Sequence, residues 1–239
     1  MKIKSRVFVD LDLSNNQIII PNSEIQHYLI RVLRCKLNDY FSVFNGREEW
    51  IATISKLEKS YCELTTQKLL KKLDKKYHID LFISPLKKSP LEFLIQKCTE
   101  LGIDEFHPVH MQHTNKGNLD YVRLETIARE SAEQSGQVRV PKIHKIKNFQ
   151  ECFENTEYDL IIYCSLNENN KYISGDLIAH KKIRAAIVIG PEGDFSKSEF
   201  ELLDNSDKFY SVSLGATVLK SETAAIVATA LLNNELNNA

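Results

Sequence analysis

The chain has 239 residues, 43% hydrophobic and 26% charged, with a formal net charge of −1. This is the composition of a soluble globular protein large enough for one large or two small domains. No apolar run approaches the ~20 residues that cross a bilayer, and Met1-Lys2-Ile3-Lys4-Ser5-Arg6 has no apolar stretch behind its basic residues, so neither a membrane span nor a secretory signal is expected.

The five cysteines (Cys35, Cys62, Cys98, Cys152, Cys164) are odd in number and scattered through apolar segments. They read as buried free thiols of a reducing, cytoplasmic compartment. Charge is uneven: residues 1–75 hold 13 Lys and Arg against 9 Asp and Glu, and the remainder 18 against 23. A small basic domain followed by a mildly acidic one suits a polyanion-binding module on a catalytic body.

Residues 1–70 are patterned for strands. Val7-Phe8-Val9 and Ile18-Ile19-Ile20 come first, and Tyr40–Phe44 and Trp50–Ile54 flank Asn45-Gly46, a strong hairpin signal. Between them the spacing predicts a helix from Ser23 to Arg34, with Ile25, Tyr28, Leu29, Val32 and Leu33 on an apolar face and His27, Arg31 and Arg34 on a basic one. Lys71–Lys76 reads as a linker or as a solvated strand end.

From residue 77 strands and helices alternate. Ile79–Ile83 is a strand, and Ser89-Pro90-Leu91-Glu92 predicts a capped helix start with Ser89 as N-cap and Pro90 as first helical residue. That helix ends at Gly102, a strand follows near Phe106–Met111, and a helix runs from Asp120 to Gln134. Leu160–Tyr163 and Ala185–Ile189 are continuous apolar runs suited to strands buried on both faces. Ser196-Lys197-Ser198-Glu199 is a capping box opening the next helix, and the last helix begins at Ser221.

Two glycine-containing turns follow apolar strands: Gly190-Pro191-Glu192-Gly193 and Leu214-Gly215 with Val218-Leu219-Lys220-Ser221. Loops at strand carboxyl ends are where open α/β sheets bind small ligands. The Gly190 loop lacks P-loop spacing and the chain has no dinucleotide fingerprint, so that loop reads either as a plain tight strand-to-helix turn or as one offering an adenine or ribose main-chain hydrogen bonds without phosphate contacts. His107, His110 and His113 recur every third residue, a spacing that puts no three imidazoles on one strand face, and no metal is expected. The absence of a Gly-x-Ser-x-Gly elbow removes a triad hydrolase.

Taken in order, these motifs resemble the SPOUT superfamily of knotted methyltransferases, and within it the family that methylates N3 of a uridine in small-subunit (16S) ribosomal RNA. The likeness is carried by His27–Arg34, Ile95–Ile103, Ala132–Gly136 with Arg139-Val140-Pro141, Ile189–Gly193, and Leu214-Gly215 with Val218–Ala224. It implies an α/β fold: an N-terminal PUA-like RNA-binding β-barrel over 1–72 and a SPOUT methyltransferase domain over 73–239, with a mostly parallel sheet and a deep trefoil knot. It also implies S-adenosylmethionine as cofactor, a homodimer, and small-subunit ribosomal RNA or the 30S subunit as partner, with no membrane. The implied cofactor residues are Ser165, Leu166, Gly190, Pro191, Glu192, Gly193, Leu214, Gly215 and Leu219. The family usually carries glycine at position 194 and arginine at 220, and often arginine at 137, where this chain has Asp194, Lys220 and Gln137.

Methylation at uracil N3 requires an unpaired base that loses its N3 proton. Lys220, Arg129 and Arg139 are candidate cations for the developing negative charge. Glu222 is a candidate proton acceptor or a helix-dipole partner; water or hydroxide is the alternative base. His27, Arg31 and Arg34, with Arg6, are the expected contacts to the RNA backbone. A 2′-O-ribose methyltransferase and an inactive ribosome-associated RNA-binding protein are the competing readings.

Overall fold

The computed structural model describes residues 2–114, 118–154, 157–165, 172–173, 183–204 and 208–238. They divide into two compact units, Met1–Asp74 with Ala132–Val140, and Lys75–Ser131 with Pro141–Ala239.

The first unit holds β1 (Ile3–Phe8), β2 (Ile18–Ile19), β3 (Tyr40–Phe44), β4 (Glu48–Leu57) and β5 (Cys62–Lys72) in a sheet ordered β1-β3-β4-β5-β2. β1 runs parallel to β3, and the other pairs are antiparallel. Val7 and Ile19, from the strands at opposite ends of that order, enter one cluster with Phe41, Val43, Ile54 and Leu64. A sheet whose two edges share one core must curl around it, the geometry of a small barrel.

Asn22 caps α1 (Ser23–His27), its Oδ1 accepting from the Ile25 amide at 2.9 Å. The predicted helix to Arg34 does not continue as an α-helix. A π turn spans Tyr28–Val32, closed by the Leu33 amide donating to the Tyr28 carbonyl at 2.9 Å. The wider turn shifts the helical phase: Leu29 is buried, Ile30 and Leu33 pack on the core, and Val32, expected inside, is 59% exposed. Arg34 lies beyond the turn with φ of 48°.

Arg6 is the polar hub of this unit. Its guanidinium donates to both Glu49 carboxylate oxygens (2.9 and 3.1 Å) and to the carbonyls of Ala132, Glu133 and Gln137 (2.7, 2.9 and 3.0 Å). Ser42 donates a short hydrogen bond to Glu49.

The second unit is a parallel sheet with helices. Its strands are β6 (Tyr77–Ile83), β7 (Glu105–His110), β8 (Lys142–Ile143), β9 (Lys147–Asn148), β10 (Leu160–Cys164), β11 (Ile183–Ile189) and β12 (Phe209–Val212), ordered β12-β10-β11-β6-β7-β8 with β9 also on β7. Among the described residues every pairing in this unit is parallel. The central runs Leu160–Tyr163 and Ala185–Ile189 are fully buried, as their unbroken apolar sequence requires. α2 (Lys88–Glu100) packs on α6 (Ser221–Asn238), and α6 on β11. α4 (Phe149–Phe153) and α5 (Lys197–Asp204) bring Phe149, Phe153 and Leu203 to a cluster with Phe82 and Val188. α3 covers Tyr121–Ser135.

The Ser196 box forms as expected: the Ser196 amide donates to Glu199 Oε2 at 2.7 Å and the Glu199 amide to Ser196 Oγ at 3.3 Å. The Ser89 box does not. α2 begins at Lys88, and its N-cap is Lys87, which makes no side-chain cap bond. Pro90 sits within the first turn, where its missing N–H has no intrahelical acceptor to lose. Among the described residues no helix is long and apolar enough to cross a membrane.

Candidate active site at the carboxyl ends of the parallel strands

Loops leaving β6, β10, β11 and β12 enclose a cavity of about 550 Å³, within the ~300–1,000 Å³ range of small-molecule and cofactor sites. Strand order places these four carboxyl ends side by side, where a doubly wound sheet opens its crevice. Ser165 comes from the β10 end, Gly190, Pro191 and Glu192 from the β11 end, and Leu214, Gly215 and Leu219 from the loop after β12; all seven line the cavity. So do Lys220 and Glu222.

Two glycines show why side chains are excluded there. A Cβ on Gly190 would lie 3.1 Å from the Phe195 ring, so the loop packs against that core aromatic with a bare Cα. Gly215 has φ of 130°, which L side chains rarely adopt. The loops are joined by the Ser221 hydroxyl, which donates to the Gly190 carbonyl at 3.2 Å.

Other predicted residues lie elsewhere. Gly193 is not among the lining residues; a Cβ on it would meet the His113 side chain at 3.2 Å, so its bare Cα admits that histidine. Leu166 lies outside the described residues. Arg129 and Arg139 do not line the cavity: Arg129 is half-buried on α3, and Arg139 is in the segment grouped with the first unit. His27, Arg31 and Arg34 are exposed but share no regular helical face, because the π turn intervenes. Arg6, expected at RNA, has its guanidinium engaged by Glu49 and three carbonyls.

Lys87, Pro90, Thr217 and Val218 line the cavity and were missed from sequence. The signal for Lys87 was positional: it stands four residues past the end of β6, in a loop of the same kind as the two glycine turns. Cys164 also lines the cavity, but burial pushes its thiol up to about 12, so it stays protonated near neutrality and offers no thiolate nucleophile.

The RNA methyltransferase domain family matches residues 73–233, and the RNA methyltransferase PUA domain family matches residues 20–67. The ribosomal RNA small subunit methyltransferase E of Rickettsia conorii is 30% identical over 231 residues, covering 95% of this chain and 93% of the relative. This chain belongs to the small subunit methyltransferase E family. Its counterpart in Buchnera aphidicola (strain APS) is also 30% identical, over 93% of this chain and 90% of that one. The crystal structure of the family member from Neisseria gonorrhoeae, bound to S-adenosyl methionine, superposes with a TM-score of 0.85 at 26% identity, covering 96% and 97% of the two chains. The PUA-like first unit and the α/β methyltransferase architecture agree with the resemblance drawn from the motifs.

Asp194, where the resemblance leads one to expect glycine, takes a left-handed backbone conformation. It adopts φ of 60°, its amide donates to the Pro191 carbonyl at 3.0 Å, and its carboxylate accepts from the Phe195 amide at 2.8 Å. Aspartate tolerates the left-handed region better than most residues, which makes it compatible with this conformation.

Proposed function

We propose that this protein methylates N3 of a uridine in small-subunit ribosomal RNA, with S-adenosylmethionine as the methyl donor. The reading includes a trefoil-knotted catalytic domain (73–239) behind an RNA-binding domain (1–72), a homodimer, and the cytoplasm as its location. The observation that carries it is the cavity: about 550 Å³ at four strand ends, walled by the two glycine turns that the family motifs single out.

The residues present suit the cofactor. Main-chain groups of Gly190 and Leu214–Gly215 can hydrogen-bond an adenosyl group without phosphate contacts, and the Glu192 carboxylate can accept from ribose hydroxyls. Lys87 supplies an ammonium for a carboxylate. When bound, S-adenosylmethionine supplies an electrophilic methyl group. The protein's own task is then placement of the base and stabilisation of the anion left when N3 loses its proton. Lys220, exposed at the cavity, is the cation for that anion. Glu222, in the first turn of α6, supports the helix N-terminus and is the carboxylate available to take the proton. His27, Arg31 and Arg34 hold the RNA backbone.

Calorimetry with S-adenosylmethionine and S-adenosylhomocysteine tests the cavity, with saturable binding expected. Nucleoside mass spectrometry of 30S subunits, incubated with enzyme and cofactor, tests the chemistry; N3-methyluridine is expected. A 2′-O-methylated nucleoside would overturn the position, and no binding of either ligand would overturn the enzymatic reading.

A further inference from the structure

The loop that leaves β7, residues 111–114, contributes nothing to the cavity wall, yet it is bonded to two of the loops that do. Thr114 closes it: its amide donates to the Met111 carbonyl at 3.1 Å, and its hydroxyl oxygen accepts from the Met111 amide at 2.8 Å. The same hydroxyl lies 2.8 Å from that of Ser84, at the end of β6. Glu199, 7% exposed, clamps the loop to the β11 side. Its Oε1 accepts from the Gln112 amide at 2.8 Å while its Oε2 accepts from the Ser196 amide at 2.7 Å.

These bonds deliver His113 to the Pro191–Asp194 turn. That turn is closed by the Asp194 amide donating to the Pro191 carbonyl at 3.0 Å, and it puts Glu192 at its first central position. His113 Nδ1 lies 3.0 Å from the Asp194 carbonyl. A carbonyl only accepts, so Nδ1 carries the proton, and Nε2 of the neutral ring is left as an acceptor. The approach depends on Gly193, since a Cβ there would stand 3.2 Å from the His113 Cβ. His113 lines a narrow cleft beside the cavity, and Lys87, Pro191 and Glu192 line both. The ring therefore holds the turn from outside the wall that Glu192 helps to form.

We propose that His113 is a positioning residue for the cofactor: by holding the Asp194 carbonyl it orients the Pro191–Asp194 turn and so aims the Glu192 carboxylate at the cofactor ribose. The inference rests on the reading of the cavity as an S-adenosylmethionine site and adds to it a residue outside the cavity wall. The segment is then tied at both ends, Gly190 by the Ser221 hydroxyl and Asp194 by the His113 imidazole. A carboxylate on an unbraced turn samples directions that a ribose diol cannot use, and ordering it on binding costs affinity. The three-residue histidine spacing carries no common role: His107 and His110 belong to β7, and His113 lies beyond it.

The test is calorimetry with S-adenosylhomocysteine on the full chain and its variants. His113 is exposed, so its replacement does not open the core. His113→Ala should weaken binding ~2–10-fold, the worth of one neutral hydrogen bond. His113→Asn places an amide nitrogen where Nδ1 stands and should recover most of the loss; His113→Gln places it where Nε2 stands and should not. In a Glu192→Ala background, His113→Ala should cost little more, because it acts through that carboxylate. Nitrogen NMR of the ligand-free chain should find the neutral His113 ring, identified by the signal lost in His113→Asn, as the Nδ1–H tautomer. Equal binding by wild type and His113→Ala, equal behaviour of the Asn and Gln variants, an undiminished cost in the Glu192→Ala background, or an Nε2–H tautomer each overturns the brace while leaving the cofactor site standing. Absence of binding by the wild type overturns the cofactor reading itself, and this inference with it.

Discussion

The hydroxyl of Ser221, at the start of α6, donates to the carbonyl of Gly190, at the end of β11, at 3.2 Å. This bond links the two glycine turns that wall the cavity. Ser221→Ala removes one neutral hydrogen bond and should cost ~1 kcal/mol of stability. Affinity for S-adenosylhomocysteine, read by calorimetry, should fall further than the stability change alone explains. Equal binding in wild type and variant would show that the loops are held by other contacts.

Gly190→Ala introduces a Cβ at 3.1 Å from the Phe195 ring. The ring belongs to the aromatic cluster with Tyr163 and Phe200, so it cannot simply retreat to solvent. The overpacking should cost ~1–3 kcal/mol, measured by denaturant unfolding, and should reduce cofactor affinity in parallel. Gly215→Ala meets no neighbouring atom and acts through backbone strain instead, with a cost of ~1–3 kcal/mol.

Asp194 gives a paired comparison. Asp194→Gly relieves a left-handed residue and loses the bond to the Phe195 amide, two small opposing effects, so stability should change by less than ~1 kcal/mol. Asp194→Ala keeps the strain and loses the bond, and should be the less stable of the two in thermal melts. The opposite order would mean that the carboxylate, rather than the backbone, shapes the loop.

Glu49 contributes a pH-dependent part of the stability. Burial would raise its pKa, but hydrogen bonds from Arg6 and Ser42 and the Arg6 charge outweigh burial and lower it. A carboxylate with a depressed folded-state pKa binds fewer protons folded than unfolded, so its stabilisation is present above the ordinary value of 4.5 and is lost as pH falls below it. Glu49→Gln should destabilise the chain at pH 7 by ~1–3 kcal/mol, the range for a hydrogen bond to a charged group. The gap between variant and wild type should narrow between pH 4.5 and acid; a gap independent of pH would exclude this carboxylate as its source.

Charge reversal at Arg31 and Arg34 should weaken binding to small-subunit RNA and flatten its dependence on salt, by a slope of roughly 0.7–0.9 for each phosphate left without its arginine. Arg6→Ala should instead lower stability, because its guanidinium serves Glu49 and three carbonyls. An unchanged salt slope in the double reversal would move the RNA surface elsewhere.

Local pattern carried most of the second unit. Buried parallel strands announce themselves as unbroken apolar runs, and the Ser196 box formed as spaced. The glycine turns located the cavity because bare Cα atoms are needed where backbone faces ligand. Three features were not legible. The π turn at Tyr28–Val32 inserts no unusual residue, so nothing in the spacing marks the change of phase that exposes Val32. Ser89 lost its capping role because the helix starts at Lys88, and a capping-box pattern does not itself fix the first turn. Lys87 and the His113 bond to Asp194 depend on which strands are neighbours, information held by the sheet and by no single segment.

The anchoring of Arg6 has a practical corollary for anyone dissecting the molecule. Three of its acceptors are carbonyls of Ala132, Glu133 and Gln137, more than 120 positions downstream. A truncated polypeptide ending at residue 74 would retain the strands yet strip these partners from a side chain only 17% exposed. Such a fragment would carry an ill-satisfied guanidinium at its heart, and weak RNA affinity in it would report damage from the cut rather than the character of the intact surface.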